Sequence, residues 1–448
     1  VAEKKLKSGG EFEIIQADLL LSTGYVVGLR SSIIGLTIFE TIDQFNITGS
    51  MSIQDAFNLA SFGPIIGQEY LKLKIATPNF TGSGNTIDYS LSPLMITSVD
   101  DRVDIGNGVQ ATTMTFCSRE LVINQRARVR RNLVGSYSDI VEEMLKTDLS
   151  NKKSPTYAGK TMNIEPSAEK KKIIAPNCKP FDMITMATKY AVSKKFNQST
   201  YFFWETTSGY NFKSLGDMYS NRPVMEYQYG VAGTRTVDGV RDIMAELSAI
   251  ENYRIISHDT IWNNAAGVFS SELIVHNIIS KNYKVHTYNY NHDFYDEQHL
   301  GTRPLAELDP DGNVVSSFPS KQYLKPAVGD RNDESFQDEF SQYVYNTDRF
   351  DLMPSRNSQL AMLESGLQLN IDVVGTTVVK AGDIVEIKIP SVAAVKTTKN
   401  ETEDMMYNGN FLIRTIRHDF NMIDDKHTMS MNVTKDAFDD LLDGDDVF

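Results

Sequence analysis

Alternation of apolar and polar positions dominates the first 120 residues. Tyr70-Leu71-Lys72-Leu73-Lys74-Ile75 alternates with a period of two and stops at Pro78, the pattern of a strand with one buried face. Phe45-Asn46-Ile47-Thr48 and Ser50-Met51-Ser52-Ile53 alternate around Gly49, a residue that marks a bulge or a kink in a strand. Leu94 to Val99 and Gln110 to Phe116 flank a turn rich in Asp, Gly and Asn and predict a hairpin with a long tip. Short strands separated by Gly/Asp turns predict a small barrel or sandwich over residues 11–121.

The period changes after Arg119. Ser136 to Leu145 carries apolar residues at helical spacing behind a serine suited to cap the helix. A second helix is predicted from Pro180 to Ala191, with proline at its start where the missing N–H costs little. Tyr201 to Thr206 and Tyr210 to Leu215, either side of Thr207-Ser208-Gly209, give a strand–turn–strand signal. Residues 122–236 therefore form an expected α+β module. From Val237 to Arg254 the spacing of Val240, Ile243, Met244, Leu247 and Ile250 is helical. Residues 269–356 are rich in Tyr, Asn and Pro, with one strand pair at most and a turn at Asp309-Pro310-Asp311-Gly312-Asn313. After Arg356 strands resume: Leu367 to Val373, Asp383 to Pro390, Phe411 to His418, and Thr428 to Val433.

The two strand-rich regions repeat one order of parts. Each has an alternating strand with a glycine (Gly49; Gly375), then a charged alternating strand ending in proline (Pro78; Pro390). Each closes with a hairpin whose first arm is apolar and whose second carries Thr-Met alternation. Four matched features in one order point to an internal repeat. The expected fold class is mainly β with α+β insertions: two similar small β-barrel domains plus accessory domains. The expected division is a flexible arm (1–10), a first barrel (11–121), the α+β domain (122–236), a second barrel (237–268 with 357–437), an inserted accessory domain (269–356) and an acidic tail expected to be disordered (438–448).

Composition narrows the function. A chain of 448 residues suits two to four domains. Its 44 Lys+Arg against 58 Asp+Glu leave a net charge of −14, the wrong sign for a protein that works by neutralising phosphates. No stretch approaches 18 uninterrupted apolar residues, so no membrane span is expected. The basic start Val1-Ala2-Glu3-Lys4-Lys5-Leu6-Lys7 has no apolar segment behind it and is not expected to act as a signal peptide. Two cysteines, Cys117 and Cys178, make no disulfide framework and suit a reducing cytoplasm.

Candidate chemistry is sparse. Walker and dinucleotide glycine loops, G-x-S-x-G, H-E-x-x-H and paired CxxC are all absent from the sequence. The best metal candidate is the stretch His286, His292, Asp293, Asp296, Glu297 and His299, whose spacings match no known ligand pair. The plainer reading is a solvated loop between aromatic anchors, and no metal, cofactor or catalytic residue is assigned. His418 and His427 face each other across the last hairpin, either titrating together or simply pairing at a strand end. Glu142-Glu143, Asp100-Asp101 and Asp424-Asp425 could suggest glycosidase carboxylates, but adjacent residues do not span a cleft. Arg126, Arg128, Arg130 and Arg131 lack interleaved aromatics and fit ion pairs at an interdomain or intersubunit contact better than a phosphate site.

Lys179-Pro180-Phe181-Asp182-Met183-Ile184, leading into Tyr201 to Thr206 and Gly209 to Leu215, resembles the baseplate hub protein of T-even-type contractile-tailed bacteriophages. So does the closing segment Asn408 to His418 with Val378 to Pro390 before it. The resemblance follows residues 11–437 in domain order and departs from the family between Asn282 and Asp351. It implies a homotrimer in which two barrels per chain make a pseudo-sixfold ring, adapting a threefold central spike to a sixfold tail tube. It further implies tube or tube-initiator proteins, other baseplate proteins and a tape measure as partners, no sequence-specific nucleic-acid binding, and a place in the virion tail baseplate after assembly in the host cytoplasm. No enzymatic activity is expected, and the net charge predicts a channel that is acidic or neutral for passing DNA. The alternatives are the hub of a related contractile secretion or bacteriocin machine, and a cell-wall glycan hydrolase.

Overall fold

The computed structural model describes residues 9–439 apart from 57–58, 60–62, 64, 78–85, 107, 151–159, 231–235, 238–239, 242, 257, 278–280, 328–348, 391–403 and 405. Most of the expected arm and tail, and Pro78, lie outside the described residues. The first 120 residues form strands β1 (Glu13–Leu20), β2 (Val26–Gly28), β3 (Ile33–Thr41), β4 (Thr48–Asp55), β5 (Tyr70–Ala76), β6 (Thr86–Asp88), β7 (Leu94–Gly106) and β8 (Val109–Ser118). In β5 every second side chain is fully buried (Leu71, Leu73, Ile75), as the alternation requires. These side chains share one core with Leu19, Ile38, Met51, Ile96 and Phe116.

Next come α1 (Arg119–Arg126), β9 (Asn132–Gly135), α2 (Tyr137–Glu143), β10 (Thr161–Ile164), β11 (Lys171–Ile174), α3 (Pro180–Tyr190), β12 (Tyr201–Thr206), β13 (Gly209–Ser214) and α4 (Leu215–Tyr219). Ser136 caps α2 as its sequence suggests. Its Oγ accepts from the Asp139 N–H at 3.3 Å, and the Asp139 carboxylate accepts from the Ser136 N–H at 2.9 Å. A separate core of Val141, Phe181, Ile184, Phe203 and Phe212 holds this module together.

The chain continues through β14 (Met225–Tyr229), β15 (Thr236–Val237), β16 (Val240–Arg241), α5 (Ile243–Leu247), β17 (Ala249–Ile256), α6 (Thr260–Ala266), β18 (Ser270–Asn277), β19 (Asn282–Asn289), α7 (Tyr290–Asp293), β20 (Arg303–Pro304), β21 (Lys321–Ala327) and α8 (Met353–Ser365). It ends in β22 (Leu367–Val374), β23 (Ile384–Lys388), β24 (Gly409–Asn421), β25 (Lys426–Lys435) and β26 (Ala437–Phe438). Strands β14, β23, β24, β25, β22 and β17 pair in that order, and β17 pairs back to β14, closing a six-stranded barrel. Tyr227, Leu369, Ile371, Val385, Phe411 and Val433 fill it.

Four expectations need correction. Residues 237–254 are not one helix: only Ile243–Leu247 is helical, and β17 pairs with β22. The β-branched and aromatic run Tyr253-Arg254-Ile255-Ile256 outweighs the local helical spacing once a partner strand is available. Strand β14, expected in the α+β module, lies in the second barrel. The region 269–356 holds a three-stranded sheet in the order β19-β18-β21, where at most one strand pair was expected. Pro326 masks β21 in the sequence, yet β21 is an edge strand and a proline there need not break a ladder. Helix α8 is unannounced because its buried face includes Ser358 and Gln359 beside Met362 and Leu363. Those polar groups are satisfied by Val268 and Glu297, so no apolar period shows.

Candidate assembly surface

The two β units share one strand order. In the first, β1-β5-β7-β8-β4-β3 are neighbours; in the second, β14-β23-β24-β25-β22-β17. The registers agree in detail. Each unit skips a residue in its long hairpin arm, between Ile96 and Ser98 and between Ile413 and Thr415. Each also skips one between Ile33 and Gly35 and between Ile250 and Asn252. Two differences stand out. β1 runs antiparallel to β5 whereas β14 runs parallel to β23, and the first unit has no ladder closing β2 onto β3 among the described residues.

The two glycines matched in the sequence repeat are not equivalent. Gly49 lies opposite Phe116, and the corresponding position of the second unit, opposite Val433, is Leu369. Gly375 follows the end of β22. Both are glycine for the same local reason, a ring pressed on the backbone. A Cβ at Gly49 would lie 2.4 Å from Phe116, and one at Gly375 would lie 2.1 Å from His427.

The units meet strand to strand. The second half of β24, from Thr415 to Asn421, pairs with β25 on one edge and with β3 of the first unit on the other. The Thr37 hydroxyl donates to the Asp419 carboxylate at 2.8 Å across this seam. A concave recess of about 720 Å³ lies over it, lined by Phe39, Asp43, Arg254, Asp372, Arg417 and Asn432, among others. Short polar groups engage each other on this face: Ser430 Oγ donates to Asp372 at 2.6 Å, and the Asn432 amide to Asn370 at 2.9 Å. Arg417 is held by Asp419 at 2.8 Å. The face mixes polar groups with Phe39, Ile416 and Met431 and is close to balanced in charge.

Buried ionisable groups, which no sequence motif announced, tie the seam to the α+β module. Glu40, on β3, accepts from the Thr207 N–H at 2.8 Å and the Ala381 N–H at 3.2 Å. One carboxylate thus joins the first unit, the β12–β13 turn and the second barrel. Burial pushes it from the ordinary 4.5 up to about 7, against the pull of those amides. Beside it Lys160 donates to Glu120 at 2.7 Å and to Glu205 at 2.6 Å, and Glu205 also accepts from the Ile47 N–H at 3.1 Å. The Trp204 indole donates to the Ala381 carbonyl at 2.8 Å. These contacts fix the three parts relative to one another.

The histidines flagged in the sequence do not converge. His286 lies on β19 opposite Leu273. His292 is exposed and contacts Asp293 at 2.7 Å. The His299 side chain is 6% exposed, stacks on Phe294 at 3.9 Å and contacts Asp436 at 2.8 Å. Among the described residues no group of three or more His, Cys, Asp or Glu is placed to hold a metal ion. His418 and His427 are buried 3.2 Å apart across the β24–β25 hairpin; burial pushes His418 down to about 4 and lowers His427 as well. They pair with each other as buried neutral groups beside the seam, near the turn where β25 begins. Arg131 bridges Glu143 and Asp148 within its own module, at 2.8 and 2.7 Å, instead of reaching another domain; Arg126, Arg128 and Arg130 are exposed. Asp100-Asp101 lie exposed within the β7 arm and Asp424-Asp425 in the exposed turn between β24 and β25, and no helix among the described residues is long and apolar enough to cross a membrane.

No family model and no curated protein sequence matches the chain. Solved structures do. A tail protein from Neisseria meningitidis MC58 superposes with a TM-score of 0.50 at 12% identity, over 95% of this chain and 97% of that one. The 43 kDa tail protein of prophage MuSo2 from Shewanella oneidensis gives 0.51 at 10% identity, over 95% and 99%. The fold is that of phage tail proteins. Coverage of both chains almost end to end means that the tail-protein fold includes the α+β module and the inserted sheet as well as the two β units.

Proposed function

We propose that this chain is the structural baseplate hub of a contractile phage tail: a trimeric symmetry adaptor between a threefold central spike and the sixfold tail tube, with a channel for DNA. The observation that carries the proposal is the pair of β units with one strand order, joined edge to edge in a single chain. Three copies of such a chain present six similar units, which is what a threefold-to-sixfold adaptor needs. In this reading the recess face lines the channel, and its hydroxyl and amide groups with balanced Arg and Asp favour a neutral polar lining over a strongly acidic one. DNA phosphates are then neither held nor strongly repelled. Spike, tube or tube-initiator, other baseplate proteins and the tape measure are the partners in the virion tail. The hub of a contractile secretion or bacteriocin machine is the second reading, because the same repeat serves the same adaptor geometry there.

A structural role without catalysis is part of the proposal. A hydrolase needs a raised-pKa carboxyl facing a cleft, and Glu40 has the raised value. Both its oxygens, however, are engaged by backbone amides of two other parts of the chain, which makes it a joint. Native mass spectrometry of the full chain tests the adaptor: a trimer is expected, and a stable monomer at micromolar concentration rejects it. Zymography on peptidoglycan with the purified chain should give no clearing.

A further inference from the structure

The repeat has a consequence for the edges. Within the chain, the free half of one long hairpin arm (Thr415 to Asn421 of β24) pairs with one short strand (Gly35 to Thr41 of β3). The shared registers identify the counterparts of both partners. The counterpart of β24 is β7, whose ladder to β5 covers only Leu94 and Met95. The counterpart of β3 is β17, whose ladder to β14 covers only Ala249 and Ile250. Beyond these points the outer edges of β7 and β17 carry no ladder among the described residues. One of two equivalent joints is made inside the chain, and both halves of the other are left open.

Apolar side chains stand in solvent along the open halves, as they do at other surface positions. Val103 and Ile105 on the β7 arm are 57% and 58% exposed, and Val99 is exposed as well. Ile255 on β17 is exposed, and Ile261 and Trp262 on α6 just beyond it are 83% and 61% exposed. Long, apolar, unpaired edges are aggregation hazards unless a partner covers them. Here the two edges lie on different units, as the two partners of the joint inside the chain do. A head-to-tail contact between copies uses both and repeats the joint that β24 and β3 already make inside the chain.

We infer that the β7 arm of one copy adds antiparallel to β17 of the next copy, in the register that β24 and β3 use within the chain. This rests on the trimer reading and specifies its joint. Tracing the ladders sideways, Ile38-Gly49-Phe116-Ile96 corresponds to Ile255-Leu369-Val433-Ile413. By the same tracing Arg102 corresponds to His418 and Val103 to Asp419. The intrachain pairs His418–Ile38 and Asp419–Thr37 then become Arg102–Ile255 and Val103–Arg254 between copies. Arg254 falls opposite an arm whose sequence places Asp100, Asp101 and Asp104 around Val103, so the joint gains charge complementarity.

Disulfide trapping on the full chain tests this. In a Cys178→Ser background, which leaves only the buried Cys117, Val103→Cys with Arg254→Cys should oxidise to covalent species ending at the trimer on non-reducing gels. Each single cysteine variant should give none, and Val103→Cys with Ile256→Cys, two residues out of register, at least tenfold less. A native trimer in which the first pair fails to cross-link, or in which the shifted pair cross-links equally, overturns the register while leaving the trimer standing. Cross-linking that stops at a dimer overturns the head-to-tail joint. A monomer by native mass spectrometry overturns the joint and the trimer reading together.

Discussion

Replacing Glu40 by Gln is expected to change how stability depends on pH more than how large it is. Glu40 is fully buried where β3, the β12–β13 turn and the loop before β23 meet, and two backbone N–H groups point at its oxygens. Its carboxyl holds a proton up to about pH 7 in the folded chain, against 4.5 when unfolded. Between those values the folded state binds the extra proton, so stability falls as pH rises through that window and is level above it. The span of 2.5 units corresponds to about 3 kcal/mol at ~1.36 kcal/mol per unit. The Glu40→Gln side chain cannot titrate. Its amide can replace only one of the two acceptors, so at pH 4.5 the variant should be less stable by about 1 kcal/mol. By pH 7.5 the order should reverse, with the variant more stable by about 2 kcal/mol. Thermal unfolding midpoints of both proteins across pH 4.5–8 measure this, and their difference removes contributions from other titrating groups. Parallel profiles for wild type and variant would show that burial does not hold the proton on Glu40.

The His299–Asp436 contact should fail in the alkaline direction. Burial opposes charging of His299, but Asp436 and Glu297 outweigh it and raise its pKa above 6.5. The stabilisation is complete below pH 6.5 and is lost as pH passes the raised value. Limited proteolysis of residues 269–356 should therefore accelerate above neutrality in wild type, and Asp436→Asn should abolish the pH dependence. The His418–His427 pair should fail in acid: the unfolded chain takes up protons below about 6.5 while the buried pair resists to about 4 for His418, so stability drops across that interval. Replacing both histidines by Leu should flatten the acid limb of a melting-point profile. Gly49→Ala drives a methyl into Phe116 and should abolish soluble expression or cost several kcal/mol. Gly35→Ala, whose nearest foreign atom is 4.0 Å away, should express and melt normally.

The strands of the two β units were readable because one face is buried and the other is wet: in β5 and in the β24–β25 hairpin, alternation in the sequence is alternation in burial. The repeat was readable from the order of those strands, although matching Gly49 with Gly375 misaligned its detail. Strand β17 was not readable, since its solvent edge leaves Glu251, Asn252 and Arg254 exposed and removes the alternation. Nor was the three-way joint. Glu40, Lys160, Glu120 and Glu205 are scattered single residues whose meaning comes from tertiary contact, and no spacing rule links Glu40 to an amide 167 positions away. The buried polar face of α8 was invisible for the same reason: its partners, Val268 and Glu297, are distant in sequence.

The shared wall formed by β24 also sets a timetable for synthesis. The first unit's eight strands are complete by Ser118, but β3 waits for a partner whose contact residues, Thr37 and Asp419, are 382 positions apart. At ~5–20 residues per second, a nascent chain shows that bare strand to the cell for roughly 20–80 seconds. Neighbouring ribosomes on one message hold identical bare strands close together, so premature pairing between chains competes with the correct closure. A fragment ending at residue 390 carries this exposure permanently. It should aggregate on release, and supplying residues 404–439 as a separate peptide should rescue it only when present during translation.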